Sequence, residues 1–223
     1  MGSLLALIAA VLNSAKDTTS KLLASNVDPT ISTFASFAFA LPFYLVLLAV
    51  LLLSGHEVVT LSGVFLSYVA LRAVTDTATE SCKMHALAHG ELSIVSSLIA
   101  LNPVIILLLG PFITGDEIRT ASIVGITIAV AGNFVFLYSV DRKTTRRALV
   151  LGAACACFMA LNTCFDRMSV QHGTPVFSGF MMTLLSALIL FRVIPGRQTQ
   201  SQLREYARPF ALRGALETAF MIT

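Results

Sequence analysis

The chain has 223 residues, of which 56% are hydrophobic and only 12% charged, and a formal net charge of +3. A soluble domain uses about 25% charged residues, and a small one exposes much of its area to water. A soluble single domain is therefore excluded, and so is a nucleic-acid binder, because the basic residues form no single patch.

Taken in chain order, the apolar runs read as membrane spans of about 20 residues. The first, Leu4 to Ala24, carries Asn13, Lys16 and Asp17. No basic residue precedes its apolar start, so it is not a signal peptide. The second, Phe34 to Leu53, has Ser36 and Tyr44 as its only hydroxyls and no polar face. An amphipathic helix of a soluble protein is not built this way. The third, Leu61 to Leu87, is broken by Arg72, Asp76, Glu80 and Lys83. Leu92 to Ile113 and Ala121 to Val140 follow, then Ala148 to Met168, Val176 to Ile194 and Ala207 to Thr223. These make seven full spans and an eighth that has only begun. Turn signals separate them at Asp28-Pro29, Ser54-Gly55, His89-Gly90-Glu91, Gly115-Asp116-Glu117, Asp141 to Arg147, Gly173-Thr174-Pro175 and Pro195-Gly196. Continuous apolar runs lack the two-residue alternation of a β-barrel. Runs that are apolar all round are not interfacial helices. The expected fold is an all-α integral membrane protein, multi-pass, in contact with the lipid bilayer.

The chain repeats itself. Asn13-Ser14-Ala15-Lys16-Asp17 returns as Asn162-Thr163-Cys164-Phe165-Asp166, and each precedes a Pro-led span, at Pro29 and Pro175. ALRAVTDTA, residues 70–78, returns as ALRGALETA, residues 211–219, so Arg72 and Asp76 correspond to Arg213 and Glu217. The first copy covers 1–140, a basic linker 141–147, and an incomplete second copy 148–223. An odd number of spans per copy inserts the two with opposite orientation, the inverted-repeat plan of transporters. Thr223 falls inside the third span of the second copy. The sequence is therefore expected to be part of a longer protein with about 60 to 80 further residues, enough to finish that span and add two more.

The order of landmarks resembles the EamA-type branch of the drug/metabolite transporter superfamily. It runs from an Asn/Asp-faced first helix and a Pro-led second to a third ending in ALAHG at 86–90. A fourth with Leu101-Asn102-Pro103-Val104, a Gly115-Asp116-Glu117 connection and a fifth rich in Gly and Ala complete it. The resemblance spans the whole chain and is strongest from Leu92 to Ile118. It implies ten spans in two inverted five-helix halves, a central cavity, and transport of small metabolites or drugs, often outward. It places the protein in the plasma (inner) membrane. The chain departs from the pattern in lacking the ninth and tenth spans. It also lacks Trp and the aromatic residues that often line the first helix.

An ionisable group at mid-bilayer is costly and faces the bundle interior or water. Asp17 lies near mid-depth in the first span and Asp166 holds the equivalent place in the second copy. Two uses are open: cavity lining between the halves, or local neutralisation, of Asp17 by Lys16 or Lys21 and of Asp166 by Arg167. Arg72, Asp76, Glu80 and Lys83 recur at helical spacing and form one polar stripe. The stripe is either a seam paired within its own helix, Arg72 with Asp76 and Glu80 with Lys83, or a charged wall of a translocation path. Asp76 or Glu80 is the candidate for a coupling proton or ion. Asn102-Pro103 lies mid-span, where a broken helix can offer backbone groups to a solute; the plainer reading is that a Pro is tolerated there. Pro42 is a weaker instance. Ala121, Gly125, Ala129 and Gly132 form a small-residue face for close helix packing, within the fold or in a homodimer. The substrate-path candidates are thus Asn13, Asp17, Arg72, Asp76, Glu80, Lys83, Asn102, Asn162, Asp166, Arg213 and Glu217.

His85 and His89 are four apart, but no third ligand completes a metal site. Cys82, Cys155, Cys157 and Cys164 have no zinc or redox spacing and read as small hydrophobes. Glu91 reads as an acid in the first turn of the next helix. No metal, cofactor or catalytic residue is expected. Arg142, Lys143, Arg146 and Arg147, with Arg192, Arg197, Arg204 and Arg208, lie on one side of the membrane. The charge rule makes that side cytoplasmic and puts Met1 outside. The family resemblance implies a cytoplasmic N-terminus instead. No GxxxxGK[ST] motif is present, so direct ATP coupling is not expected. The leading functional reading is a secondary transporter of a small-molecule solute, an exporter working by alternating access. A structural membrane protein, or an enzyme using His85, His89 and Glu91 on a lipid-linked substrate, are the alternatives.

Overall fold

The computed structural model describes residues 2–56, 61–115, 120–139, 145–194 and 196–222, and their regular structure is entirely helical. In order come α1 (Gly2–Asn26), α2 (Pro29–Leu53), α3 (Gly63–His89), α4 (Leu92–Ile99) and α5 (Asn102–Ile113). Then follow α6 (Thr120–Ser139), α7 (Arg146–Gln171), α8 (Pro175–Phe191), α9 (Gly196–Glu205) and α10 (Ala207–Ile222). The acidic turn Asp116-Glu117 and residues 141–144 of the basic linker lie outside the described residues, as do the side chains of 197 and 198.

The starts of three helices follow from their capping residues. The Asp28 carboxylate accepts from the backbone N–H groups of Thr30 and Ile31, with Pro29 in the first turn of α2. Ser62 caps α3 through Phe65 N–H, and Thr145 caps α7 through Ala148 N–H. The carbonyl end of α3 is closed by Lys21 of α1, whose Nζ donates to Leu87 O at 2.6 Å and Gly90 O at 2.7 Å. An ammonium there meets both the orphan carbonyls and the negative end of the helix dipole.

By length and composition, Pro29–Leu53, Leu92–Ile113 and Arg146–Gln171 are apolar enough to cross a membrane, and Thr120–Val135 and Pro175–Phe191 are shorter apolar helices. The outer surface carries bare large hydrophobes, among them Leu53 and Phe112, each 89% exposed. Water would penalise such a surface and lipid does not. The chain is a multi-pass integral membrane protein. Many hydroxyls in its spans are satisfied locally: Ser20, Thr33, Ser36, Thr79 and Thr183 each donate to the carbonyl four residues back.

The packing has an internal regularity. α3 packs on α7 and α8, α10 packs on α1 and α2, and α2 packs on α8. Exchanging α1 with α7, α2 with α8 and α3 with α10 leaves these contacts unchanged, while the packing of α1 on α3 is not repeated between α7 and α10. Arg72 meets Asp166 while Asp76 meets Asn162, so α3 and α7 run antiparallel. Lys16 meets Glu217 while Ser20 meets Arg213, so α1 and α10 do too. α1 runs parallel to α3, since Asp17 meets Lys83 and Lys21 meets Leu87. It follows that α1 and α7 point in opposite directions. α10 comes close to the backbone of α2 at Gly214, where an added Cβ would lie 2.5 Å from the Phe39 carbonyl oxygen. Only a glycine lets α10 lie so near α2.

The fold breaks one span at its mid-span Pro and corrects three expectations. Leu92 to Ile113 is not one continuous helix: Ala100 and Leu101 form a turn between α4 and α5. Pro103, in the first turn of α5, has no N–H to give to a carbonyl of α4. The connection between the seventh and eighth spans contains a helix, α9, with a mixed polar sequence. Ala121, Gly125 and Ala129 are exposed, and nothing lies within 4 Å of a Cβ placed on Gly125 or Gly132, so no described residue packs against that face. Glu91 occupies the N-cap of α4 and makes no side-chain cap bond there.

Candidate functional site

Arg72 and Arg213, the arginines related by the repeat, are each only 1% exposed. Two buried guanidinium groups in an apolar bundle need compensation, and each finds it on another helix. Arg72 binds Asp166 of α7 at 2.9 Å and donates to Ser178 Oγ of α8 at 2.9 Å. Ser178 and Ser169 are themselves joined at 2.6 Å. Arg213 pairs with Glu80 of α3 and donates through Nε to Ser20 Oγ of α1 at 2.7 Å. Lys83 reaches Asp17 at 2.5 Å, and Lys16 reaches Glu217 at 3.0 Å.

These pairs surround a cavity of about 290 Å³. Its wall includes Asn13, Lys16 and Asp17 of α1, and Arg72, Asp76, Glu80 and Lys83 of α3. Asn162 and Asp166 of α7 and Glu217 of α10 face them. Phe37, Ile99, Met159 and Met182 supply an apolar part of the same wall. Arg213 stands behind Glu80 and is not part of the lining. Asn102 lies elsewhere, at the start of α5, with its Oδ1 buried and without a hydrogen-bond partner among the described residues. Of the eleven candidates, Asn102 is thus the one that the structure separates from the others.

The stripe on α3 is not neutralised within its own helix. Arg72 turns to α7, Glu80 to α10 and Lys83 to α1. Asp17 likewise pairs with Lys83 and not with Lys16 or Lys21. Asp76 differs from the rest: its Oδ1 accepts from Asn162 Nδ2 at 2.8 Å, and no described cation lies at ion-pair distance. Around the cavity, Asp17, Asp76, Glu80, Asp166 and Glu217 stand against Lys16, Arg72, Lys83 and Arg213. That leaves one carboxylate in excess.

Sequence reasoning missed the serines that complete the arginine sites. Ser20 and Ser169 each follow the repeated Asp by three, and Ser178 follows the repeated Pro by three; its counterpart Ser32 donates to Met84 Sδ and not to an arginine. The regularity was present, but hydroxyls in spans are common and carry little signal alone. His85 and His89 do not converge on a ligand. Each Nδ1 lies 2.8 Å from the carbonyl one turn earlier on its own helix. Among the described residues no group of three or more His, Cys, Asp or Glu could hold a metal ion.

A family model, EamA-like transporter family, matches residues 1–138. Comparison with curated proteins and with solved structures returned no match. The match covers more than half of the sequence, and the chain belongs to the EamA-like transporter family, whose members are transporters and not enzymes.

Proposed function

We propose that this member of the EamA-like transporter family is a secondary transporter that moves a small-molecule solute through the charged cavity by alternating access, as an exporter of the plasma (inner) membrane. The observation that carries the reading is the 290 Å³ cavity whose wall is shared by α1 and α3 on one side and α7 and α10 on the other. A purely structural bundle has no use for ionisable groups lining a void, since each is costly in the membrane. A solute path needs them, because they replace the hydration shell that the solute sheds.

The packing of α3 on α7 and α8, matched by that of α10 on α1 and α2, and the antiparallel run of α1 and α7 support two inverted copies, 1–140 and 148–223, joined by the linker 141–147. In such a plan the Arg72–Asp166 and Glu80–Arg213 pairs span the boundary between copies. Rocking of one copy against the other works against these pairs, which hold the copies together between solute-bound and empty states. The turn at Ala100–Leu101 gives α4 and α5 a place to bend during that motion. Energy comes from a proton or ion gradient or from the solute gradient itself.

Solute counterflow in proteoliposomes tests the reading. Saturable exchange of some member of a metabolite and drug panel is expected, competed by unlabelled solute. Absence of saturable exchange across amino acids, organic cations, organic anions and neutral solutes, with folded protein present, contradicts it.

A further inference from the structure

We propose that the cavity selects an amphiphilic organic cation, a solute with one ammonium group and an apolar body, and that Asp76 and Asn162 receive the ammonium. The inference rests on the transport reading and adds the solute's chemical class.

Charge accounting comes first. Asp17, Glu80, Asp166 and Glu217 each have a cation at ion-pair distance: Lys83, Arg213, Arg72 and Lys16 respectively. The carboxylate of Asp76 has an amide instead. A cavity with one carboxylate in excess rejects an anion and favours a single positive charge, because an uncompensated charge in low dielectric is costly.

Hydrogen-bond capacity points the same way. A carboxylate offers about four acceptor sites, and the amide donor of Asn162 occupies one of those on Asp76. The Oδ1 of Asn162 is buried and has no partner among the described residues. Two neighbouring side chains on the cavity wall thus hold unspent acceptors. An alkylammonium brings up to three N–H donors and no acceptor. A carboxylate or a phosphate brings the reverse and finds the cations of the wall already taken by their acids.

The rest of the wall selects the body of the solute. Phe37, Ile99, Met159 and Met182 line the same cavity. Methionine adapts to irregular shapes and makes favourable contacts with aromatic rings. An arylalkyl group fits that surface, and a sugar or a nucleotide would leave its hydroxyls without partners there.

The test uses the unmodified chain in nanodiscs and three probes of matched shape: 2-phenylethylammonium, 2-phenylethanol and 3-phenylpropanoate. Binding is read by calorimetry against empty nanodiscs. The ammonium is expected to bind about tenfold or more tighter than the alcohol, as an added charge-assisted hydrogen bond implies. The carboxylate is expected to bind weakest. Asp76→Asn should remove the preference for the ammonium and leave the alcohol unchanged. Asn162→Val should reduce the preference in part. If Asp76→Asn fails to fold, the order of the three probes on the unmodified chain decides alone. Tightest binding of the carboxylate, equal binding of all three, or no binding of the ammonium overturns the proposal. Saturable exchange of an anionic or neutral solute alongside such a result discards the cation class and leaves the transport reading standing. Absence of exchange for every class removes the transport reading itself.

Discussion

Asp76 of α3 accepts a hydrogen bond from Asn162 of α7 at 2.8 Å, so this cavity carboxylate is held by an amide where its neighbours on α3 are held by ions. The difference separates two kinds of acid on one helix face. Glu80 is locked to the buried Arg213 and serves to keep α10 against α3. Asp76 has no ion to release before it can accept a charge from elsewhere. The stripe is therefore not paired within its own helix: Arg72, Glu80 and Lys83 pair with other helices, and Asp76 is held by an amide.

The Glu80–Arg213 pair predicts a folding defect. Glu80→Gln strands the Arg213 guanidinium in a bundle where it is 1% exposed, and stranding one partner of a buried pair costs about 3–5 kcal/mol. Monodisperse yield in detergent should fall sharply. Adding Arg213→Met should recover much of it, since removing both charges replaces the pair by apolar packing. Normal yield for Glu80→Gln alone would refute the locking role.

Close packing predicts a contrast between two glycines. Gly214→Ala places a methyl 2.5 Å from the Phe39 carbonyl oxygen, so α10 must move off α2. Overpacking of this kind costs about 1–3 kcal/mol. Gly125→Ala meets nothing within 4 Å and should leave the thermal midpoint of the purified protein unchanged or slightly raised. Equal effects at the two sites, measured by thermal unfolding, would contradict the packing described for α10.

The turn between α4 and α5 predicts a mutation that separates motion from stability. Pro103→Ala restores a backbone donor and lets the two helices join, which should preserve or raise folded yield. If the turn bends during transport, exchange should slow in the same preparation. Unchanged exchange would show the break to be a static feature.

Much of the architecture was legible in the sequence because membrane helices advertise themselves by composition. The runs Phe34 to Leu53 and Leu92 to Ile113 are apolar enough to cross a membrane and admit few other structures. The partners were not legible. Helical spacing says that Arg72 and Asp76 share a face, yet it cannot say whether a stronger partner waits on another helix. Asp166 does so for Arg72, and Glu80 for Arg213, because antiparallel neighbours bring opposite charges to the same depth. Asn102 shows the same limit: a polar residue beside a mid-span Pro suggests a solute site, but spacing cannot say that it stands away from the cavity lined by the other candidates. α9 escaped because its polar sequence between Gly196 and Glu205 has neither an apolar run nor a turn cluster.

Counterflow with the unmodified protein and with Asp76→Asn, at matched amounts of monodisperse protein, tests the central claim most directly. The amide keeps the size of the side chain and can still accept from Asn162, so the bundle should assemble as before. The account predicts saturable exchange for the unmodified protein and its loss in the variant. Exchange by Asp76→Asn at the unmodified rate would contradict it and move the solute site away from this carboxylate.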